Sequence, residues 1–317
     1  MRISKILAAT VMLAAAAAVT VVSAQPPAGG GGGFQGRGGG APGGRFGGGA
    51  PGGRGGGGGG PFGNFPLMIE EVDDRLYRIA SSSSGNITVF ESDDALLLVD
   101  SKFANEYDTY MELLRGVSDK PVRYVVNTHM HGDHAGGNIL LEALGADIIG
   151  TENMRRGLAA TQSEGLPNIT FDDHMRLYFG GRVMDLYWFG RGHTDGDLVI
   201  HLPEEGLVLP GDLFAGGDPF VRLIDYNGGG SLMEWSDTLE QVMALEFDRV
   251  IPGHSELTDR ARMQAYLDQI VDMQDMIRDM DDAGRAPADI QSAITTEFGA
   301  MAFVVLPGIQ AVVDELD

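Results

Sequence analysis

A layered α/β domain with mixed sheets is what the sequence predicts, on three observations. Short runs of apolar and β-branched residues recur along the chain, stretches of helical periodicity fall between and after them, and both begin only downstream of residue 66. Residues 75–80 (RLYRIA) and 86–91 (NITVFE) read as strands, and 95–100 (ALLLVD) as a buried one. A short helix over 105–116 follows, and then a second buried strand, 122–127 (VRYVVN), which runs straight into the polar stretch 128–138. Further β-type segments are 147–150, 175–179, 183–189, 198–202, 207–209 and 249–251. Residues 231–245 and 259–280 are predicted as helices. In the second of these, Met263, Tyr266, Leu267, Ile270, Met273 and Ile277 recur at helical spacing, and its methionines read as core packing.

The first 63 residues have a different composition. Arg2 and Lys5 precede an apolar run from Ile6 to Val22, and Val22-Ser23-Ala24 offers small residues for cleavage, so residues 1–24 are predicted as a secretory signal peptide. The alternative is an uncleaved anchor, for which the run is slightly short. Residues 25–63 are Gly-rich and hold about half of the chain's 48 glycines; such a segment cannot bury enough apolar surface to offset chain entropy and reads as a disordered linker. Its three arginines in RGG-like spacing also occur in RNA-binding tails, but a spacer is the preferred reading. Residues 64–317 then form one domain that ends in helices. Localisation is expected to be periplasmic or secreted.

Charge and cysteine content exclude whole classes of function. The chain carries 22 Lys+Arg against 45 Asp+Glu; setting aside the five basic residues of the first 63 (Arg2, Lys5, Arg37, Arg45, Arg54) leaves 17 against 45, a formal −28. A surface that acidic repels phosphate backbones, so no nucleic-acid partner is expected. The absence of Cys excludes disulfide scaffolds, thiolate-bound zinc, iron–sulfur clusters, a thiol nucleophile and a lipid-modified N-terminus.

The chemistry is concentrated at strand ends. Thr128-His129-Met130-His131-Gly132-Asp133-His134 places three imidazoles and a carboxylate directly after a buried strand, on a backbone that turns at Gly132, Gly136 and Gly137. Imidazole and carboxylate suit zinc when no thiolate is present. Four such groups from so short a loop do not saturate one tetrahedral ion and divide more naturally between two. His193 (in GHTDGD), Asp212 (in PGD) and His254 (in PGH) each follow an apolar β-type segment, so all seven can converge on one sheet edge. His174 and His201 fit no such element and read as structural.

HxHxDH followed by separate GH, GD and GH elements resembles the metallo-β-lactamase fold superfamily, over essentially residues 66–257. The resemblance implies an αβ/βα four-layer sandwich with a dinuclear site in the cleft between its sheets. It implies two zinc ions per chain, the first on His129, His131 and His193, the second on Asp133, His134 and His254, with Asp212 bridging them. His131 at the second motif position, where the fold's diiron reductases have Glu, is similar to the zinc hydrolases. In metallo-β-lactamases with a similar local sequence, position 212 is Cys. The carboxylate here resembles glyoxalase II and the general hydrolases, and it weighs against efficient β-lactam hydrolysis.

The implied function is an exported zinc hydrolase that opens a β-lactam, lactone, ester or thioester with a metal-bound hydroxide, with Asp133 as the catalytic carboxylate. No thiol nucleophile and no G-x-S-x-G elbow competes with that reading. Glyoxalase-II-type thioester hydrolysis is the alternative, followed by a phosphodiesterase and a non-catalytic zinc-binding envelope protein. Trp188 and Asn227 are the candidate substrate contacts, the first as cleft lining beside Tyr187 and the second for polarising a carbonyl. Thr194 and Asp195 are candidates for orienting a ligand imidazole. The expected partner is a small-molecule substrate, with no integral membrane segment after signal removal and oligomeric state left open. The apolar tail 303–307 is expected to dock on its own domain.

Overall fold

The computed structural model describes Val22–Ser23 and residues 66–162, 164–299 and 304–316. The predicted linker, and the predicted signal peptide apart from Val22 and Ser23, lie outside the described residues. Val22–Ser23 (β1), Met68–Asp73 (β2), Leu76–Ala80 (β3), Ile87–Glu91 (β4) and Leu96–Val99 (β5) lie antiparallel in chain order. After the crossover helix Tyr107–Arg115 (α1), Val122–Val126 (β6) joins β5 in parallel. Two short helices follow, Gly132–Ala135 (α2) and Asn138–Glu142 (α3). Asp147–Thr151 (β7), Glu152–Ala159 (α4) and Ile169–Phe171 (β8) complete an eight-stranded sheet whose last strands are parallel.

The second sheet takes His174–Phe179 (β9), Arg182–Tyr187 (β10), Val199–Leu202 (β11) and Leu207–Gly211 (β12). Leu223–Asp225 (β13) stands apart and is followed by Leu232–Met243 (α5). Arg249–Pro252 (β14) and Thr258–Asp259 (β15) then close a six-stranded order β15-β14-β12-β11-β10-β9, in which only β12 and β14 are parallel. Arg260–Asp282 (α6), Pro287–Phe298 (α7), Val304–Leu306 (β16) and Gln310–Leu316 (α8) end the chain, and β16 pairs in parallel with β13.

Period-two alternation decides which layer each side chain joins. In β5, Leu97 and Val99 face the second sheet, packing with Leu186, Ile200 and Leu209, while Leu96 and Leu98 face α1 with Tyr110 and Leu114. In β12, Leu207 and Leu209 point between the sheets and Val208 points to the outer helices, beside Trp235, Leu239 and Ile270. Each fully buried Leu or Val contributes about 1.5–3 kcal/mol. Helices, sheet, sheet and helices make the four-layer αβ/βα sandwich. Met263 and Met273 lie in its outer core, as the spacing predicted.

Helix starts follow their caps. Ser231 accepts from Glu234 N and Asp259 from Arg262 N, so the two long helices begin where the sequence placed them. The sequence reading did not find β2, β8, β13, β15 or the helices α2, α3 and α4, and it expected the domain to end in helices without giving bounds for α7 and α8. Several are single turns or three-residue strands, too short for periodicity to register. The tail docks on its own domain, through β16.

Candidate metal centre

Parallel pairing brings the donors to one edge. β5 and β6 run side by side, so Asp100 and the 128–134 segment leave the first sheet together; β12 and β14 do the same for Asp212 and His254 in the second. Three backbone bonds tie the segments: Leu198 N to Thr128 O at 2.7 Å, Asn86 N to Gly253 O at 2.7 Å and Gly253 N to Gly211 O at 3.0 Å. His193 arrives from the loop after β10 and is fully buried. All seven predicted ligands meet there, in three overlapping groups: His129 with His131 and His193, Asp133 with His134 and His254, and Asp212 with His129 and His134.

The ring nitrogens pointing away from the cluster fix the tautomers. His193 Nδ1 donates to Leu223 O at 2.6 Å, and His134 Nδ1 to Asp100 Oδ2 at 2.8 Å. The Thr128 hydroxyl gives its one proton to Asp100 Oδ2 at 2.8 Å, so at 3.1 Å from His129 Nδ1 it is the acceptor. His131 is reversed: its Nε2 donates to Asp225 Oδ2 at 2.9 Å, which turns Nδ1 inward. With a cation bound, each of these four imidazoles would therefore direct an unprotonated nitrogen at the centre. Asp100 adopts φ +67°, a left-handed conformation that Asp tolerates, and its Oδ1 also accepts from Thr128 N at 2.8 Å.

That arrangement requires a cation. His193 Nε2 lies 3.1 Å from His129 Nε2 and 2.8 Å from His131 Nδ1, and His134 Nε2 lies 3.4 Å from His254 Nε2. The inward lone pairs of His129, His131 and His193, facing each other at such distances, repel unless a positive charge sits between them. Asp212 Oδ1 is buried without a hydrogen-bond donor, and a buried oxygen without a partner is costly. Asp212 faces both triads: Oδ1 is 3.4 Å from His134 Nε2, and Oδ2 is 3.3 Å from His254 Nε2 and 3.7 Å from His193 Nε2. Asp133 Oδ2 lies 3.4 Å from His254 Nε2 and 3.6 Å from His134 Nε2. The donors fit a divalent metal, and their N and O chemistry suits zinc.

The electrostatics agree. Burial and neighbouring histidines hold His129 well below the usual imidazole range and bring His193 down to about 4, so both are neutral donors. Burial also opposes a charge on His134, but Asp212, Asp133 and Asp100 outweigh it and push that ring up to about 10. Burial would raise the Asp212 carboxyl, yet His254 and His134 hold it well below the carboxylate range. The carboxylates thus call for positive charge where the imidazoles converge.

A cavity of about 320 Å³ opens over the cluster, lined by His131, Asp133, His193, Asp212 and His254, with Ser82, Ser83, Ala215, Val221, Leu223 and Val304. Neither substrate-contact candidate belongs to that lining. Trp188 spends its Nε1 proton on Asp195 O at 2.8 Å, and Asn227 is exposed in the single turn Tyr226–Gly228. Thr194 directs its hydroxyl to Asp197 Oδ1 at 2.5 Å, and Asp195 O also accepts from Asn153, so both brace the loop while Leu223 O orients His193. His174 bonds Asp185 and His201 bonds Glu246 O, away from the cluster. Sequence reasoning missed Asp100, Thr128 and Asp225 as orienting partners. Only Asp100 and Thr128 carried a signal, since each follows a buried strand that leads to the cluster.

A four-layer sandwich with imidazoles and carboxylates gathered at one sheet edge defines the class, an α/β fold with a candidate metal centre. The chain belongs to the metallo-beta-lactamase superfamily, whose family profile matches residues 82–254. A metallo-beta-lactamase type 2 of Elizabethkingia meningoseptica is 24% identical over 216 residues, 65% of this chain and 86% of that protein. A hydroxyacylglutathione hydrolase of Erythrobacter litoralis is 30% identical over 152 residues, 46% of this chain and 54% of that protein. Among solved structures, a metallo-beta-lactamase from Pontibacter korlensis superposes with a TM-score of 0.58 at 20% identity, covering 65% of this chain and 99% of that one. That likeness is one of fold. Membership makes this chain a metallo-beta-lactamase superfamily hydrolase.

Proposed function

We propose that this chain is an exported dinuclear zinc hydrolase that cleaves a carbonyl substrate: an ester, thioester, lactone or β-lactam. The observation that carries the reading is Asp212, whose two oxygens face one triad each way: Oδ1 toward His134, Oδ2 toward His193 as well as His254. His129, His131 and His193 would hold the first ion, Asp133, His134 and His254 the second, and Asp212 both. Bound there, zinc supplies Lewis acidity, polarising a carbonyl and lowering the pKa of water to about 7.

The chain supplies the positioning. Asp100, Thr128, Asp225 and the Leu223 carbonyl lock the imidazoles in the tautomers that present a lone pair inward. Asp133 borders the cavity and is part exposed; with Oδ2 turned toward His134 and His254, its other oxygen, Oδ1, would accept a proton and return it to the leaving group. The metallo-beta-lactamase relative supports a β-lactam; the hydroxyacylglutathione hydrolase relative and the carboxylate at position 212 support a thioester. Export is supported by the charge and hydropathy pattern of residues 1–24.

The test is metal analysis of the purified protein, followed by hydrolysis assays on nitrocefin, lactones, thioesters and phosphodiesters with and without chelator. Two zinc equivalents and chelator-sensitive cleavage of a carbonyl substrate are expected. His131→Ala and Asp133→Ala should each remove most turnover. Cleavage that persists after complete metal removal would reject the reading.

A further inference from the structure

The hydrolase reading leaves the substrate's acyl side open. Resting on that reading, we infer that the site takes an uncharged ester, thioester or lactone whose apolar acyl end lies against a wall completed by Val304. Hydrolysis adds water across the acyl–heteroatom bond, giving the carboxylic acid and the alcohol or thiol.

The cavity lining carries the inference. Beyond the metal-binding side chains it consists of Ser82 and Ser83, which are polar but uncharged, and of Ala215, Val221, Leu223 and Val304. Among the described residues, no Lys or Arg lines it. Two buried cations beside the lining segments are committed elsewhere. Lys102 is fully buried and donates to Gly85 O and, at 3.2 Å, to Ser84 Oγ. Arg222, between Val221 and Leu223, is buried with its guanidinium carbon 4.8 Å from the Tyr266 ring centroid and its Nη2 on Gln269 Oε1 at 2.6 Å. Positive charge at the metal positions acts on the reacting carbonyl. A second carboxylate at the far end of the substrate would shed its water against aliphatic side chains with no partner. The acidic balance of the whole chain disfavours anions at longer range in the same sense.

Val304 reaches the cavity by strand pairing. β16 pairs with β13 in the register Leu223↔Val304, Ile224↔Val305 and Asp225↔Leu306, and Val304 N donates to Arg222 O at 2.8 Å. Alternation then puts Leu223 and Val304 on the cavity while Ile224 and Val305 join the outer helical core. α8 fastens the tail: Glu315 accepts from Tyr226 Oη at 2.5 Å and from Ser231 Oγ. The family match ends at residue 254. The acyl wall therefore includes a residue outside the span that the family profile matches, and Val304 is the specificity determinant this geometry names.

The test compares p-nitrophenyl acetate, butyrate and hexanoate with the anionic p-nitrophenyl hemisuccinate, using the full-length metal-loaded protein. Wild type should favour butyrate over hemisuccinate by about tenfold or more in kcat/KM, and Val304→Phe should lower hexanoate relative to acetate by about tenfold. Val304→Lys should shift preference toward hemisuccinate. The milder Val304→Ala, checked by circular dichroism, should change the acyl-length profile without disturbing the fold. Equal use of butyrate and hemisuccinate, or a length profile unmoved in every folded Val304 variant, overturns the inference. Ligand-observed NMR of hexanamide against adipamate gives a readout independent of turnover. Selective hexanamide binding supports the inference even if no ester is cleaved, in which case the hydrolase reading alone fails. Adipamate bound as well as hexanamide overturns it whatever the turnover.

Discussion

Asp100 and His134 are 34 positions apart in the chain and both fully buried, and Asp100 Oδ2 accepts from His134 Nδ1 at 2.8 Å. The same oxygen receives the Thr128 hydroxyl, which in turn faces His129, so one carboxylate orients a histidine of each triad. Asp100→Asn should weaken metal binding by about 10–100-fold, the usual cost of losing an orienting carboxylate. Competition with a chromophoric chelator measures this. Asp225→Asn, at the carboxylate that accepts from His131, should weaken one ion and spare the other; unchanged affinity in both variants would show that tautomer control lies elsewhere.

Metal should stabilise the fold, because it relieves the facing imidazoles and the partnerless Asp212 oxygen. At zinc a hundredfold above Kd the gain is about 2.7 kcal/mol per site. In a domain of this size, that corresponds to a rise of roughly 5–10 °C in Tm. Calorimetry with and without chelator should show it, and Asp212→Ala should lose most of the difference.

Two glycines are needed for close approach. A Cβ on Gly85 would fall 2.2 Å from His134 Cε1, and one on Gly253 would fall 1.9 Å from Asp212 Oδ1 and 2.8 Å from the Gly211 backbone. Gly85→Ala and Gly253→Ala should each cost about 1–3 kcal/mol by overpacking. Each should also reduce bound zinc. Wild-type metal content in a folded Gly253→Ala protein would contradict the placement of Asp212.

Far from the centre, Asp185 should contribute to acid stability. Hydrogen bonding from Arg176 lowers its pKa, burial opposes, and His174 adds to the lowering. A depressed carboxylate pKa stabilises the fold above the unfolded value of about 3.9, and the contribution is lost as pH falls from there through the folded value. Asp185→Asn should therefore match wild type most closely at the acid end and fall below it toward neutral pH. Urea midpoints measured from pH 2 to pH 7 decide it, and parallel curves would remove Asp185 from the account.

Export with removal of residues 1–24 predicts a mature chain that starts at Gln25. Cleavage would also take Val22–Ser23 from the sheet and leave β2 as its edge. Intact-mass measurement on protein recovered from the periplasm checks this, and a retained leader would favour an anchor.

Much of this protein was legible in the sequence because its signals are local. Buried strands such as residues 95–100 and 122–127 announce themselves by apolar content, and Ser231 and Asp259 mark the starts of α5 and α6 by their capping chemistry. The seven candidate ligands were legible because they cluster in the motif after the 122–127 strand or, for His193, Asp212 and His254, sit beside Gly after an apolar segment, where side chains are presented from a rigid base. Trp188 and Asn227 looked equally suitable as substrate contacts. What their side chains would meet depends on how the 188–198 and 225–231 loops fold over each other, which no spacing encodes.

Residue chemistry and order alone determined the α/β class, the seven His and Asp candidates at strand ends and the exclusion of thiol chemistry. The three-dimensional fold decided the rest: that Asp100, Thr128 and Asp225 orient the imidazoles, that Asp212 faces both triads, and that Val304 closes the cavity. The reason is contact distance. A strand run or a cap depends on neighbours within a few residues, whereas the bond from His131 to Asp225 spans 94 positions and the Leu223↔Val304 register spans the whole outer helical layer. Such meetings are set by how sheets and helices pack.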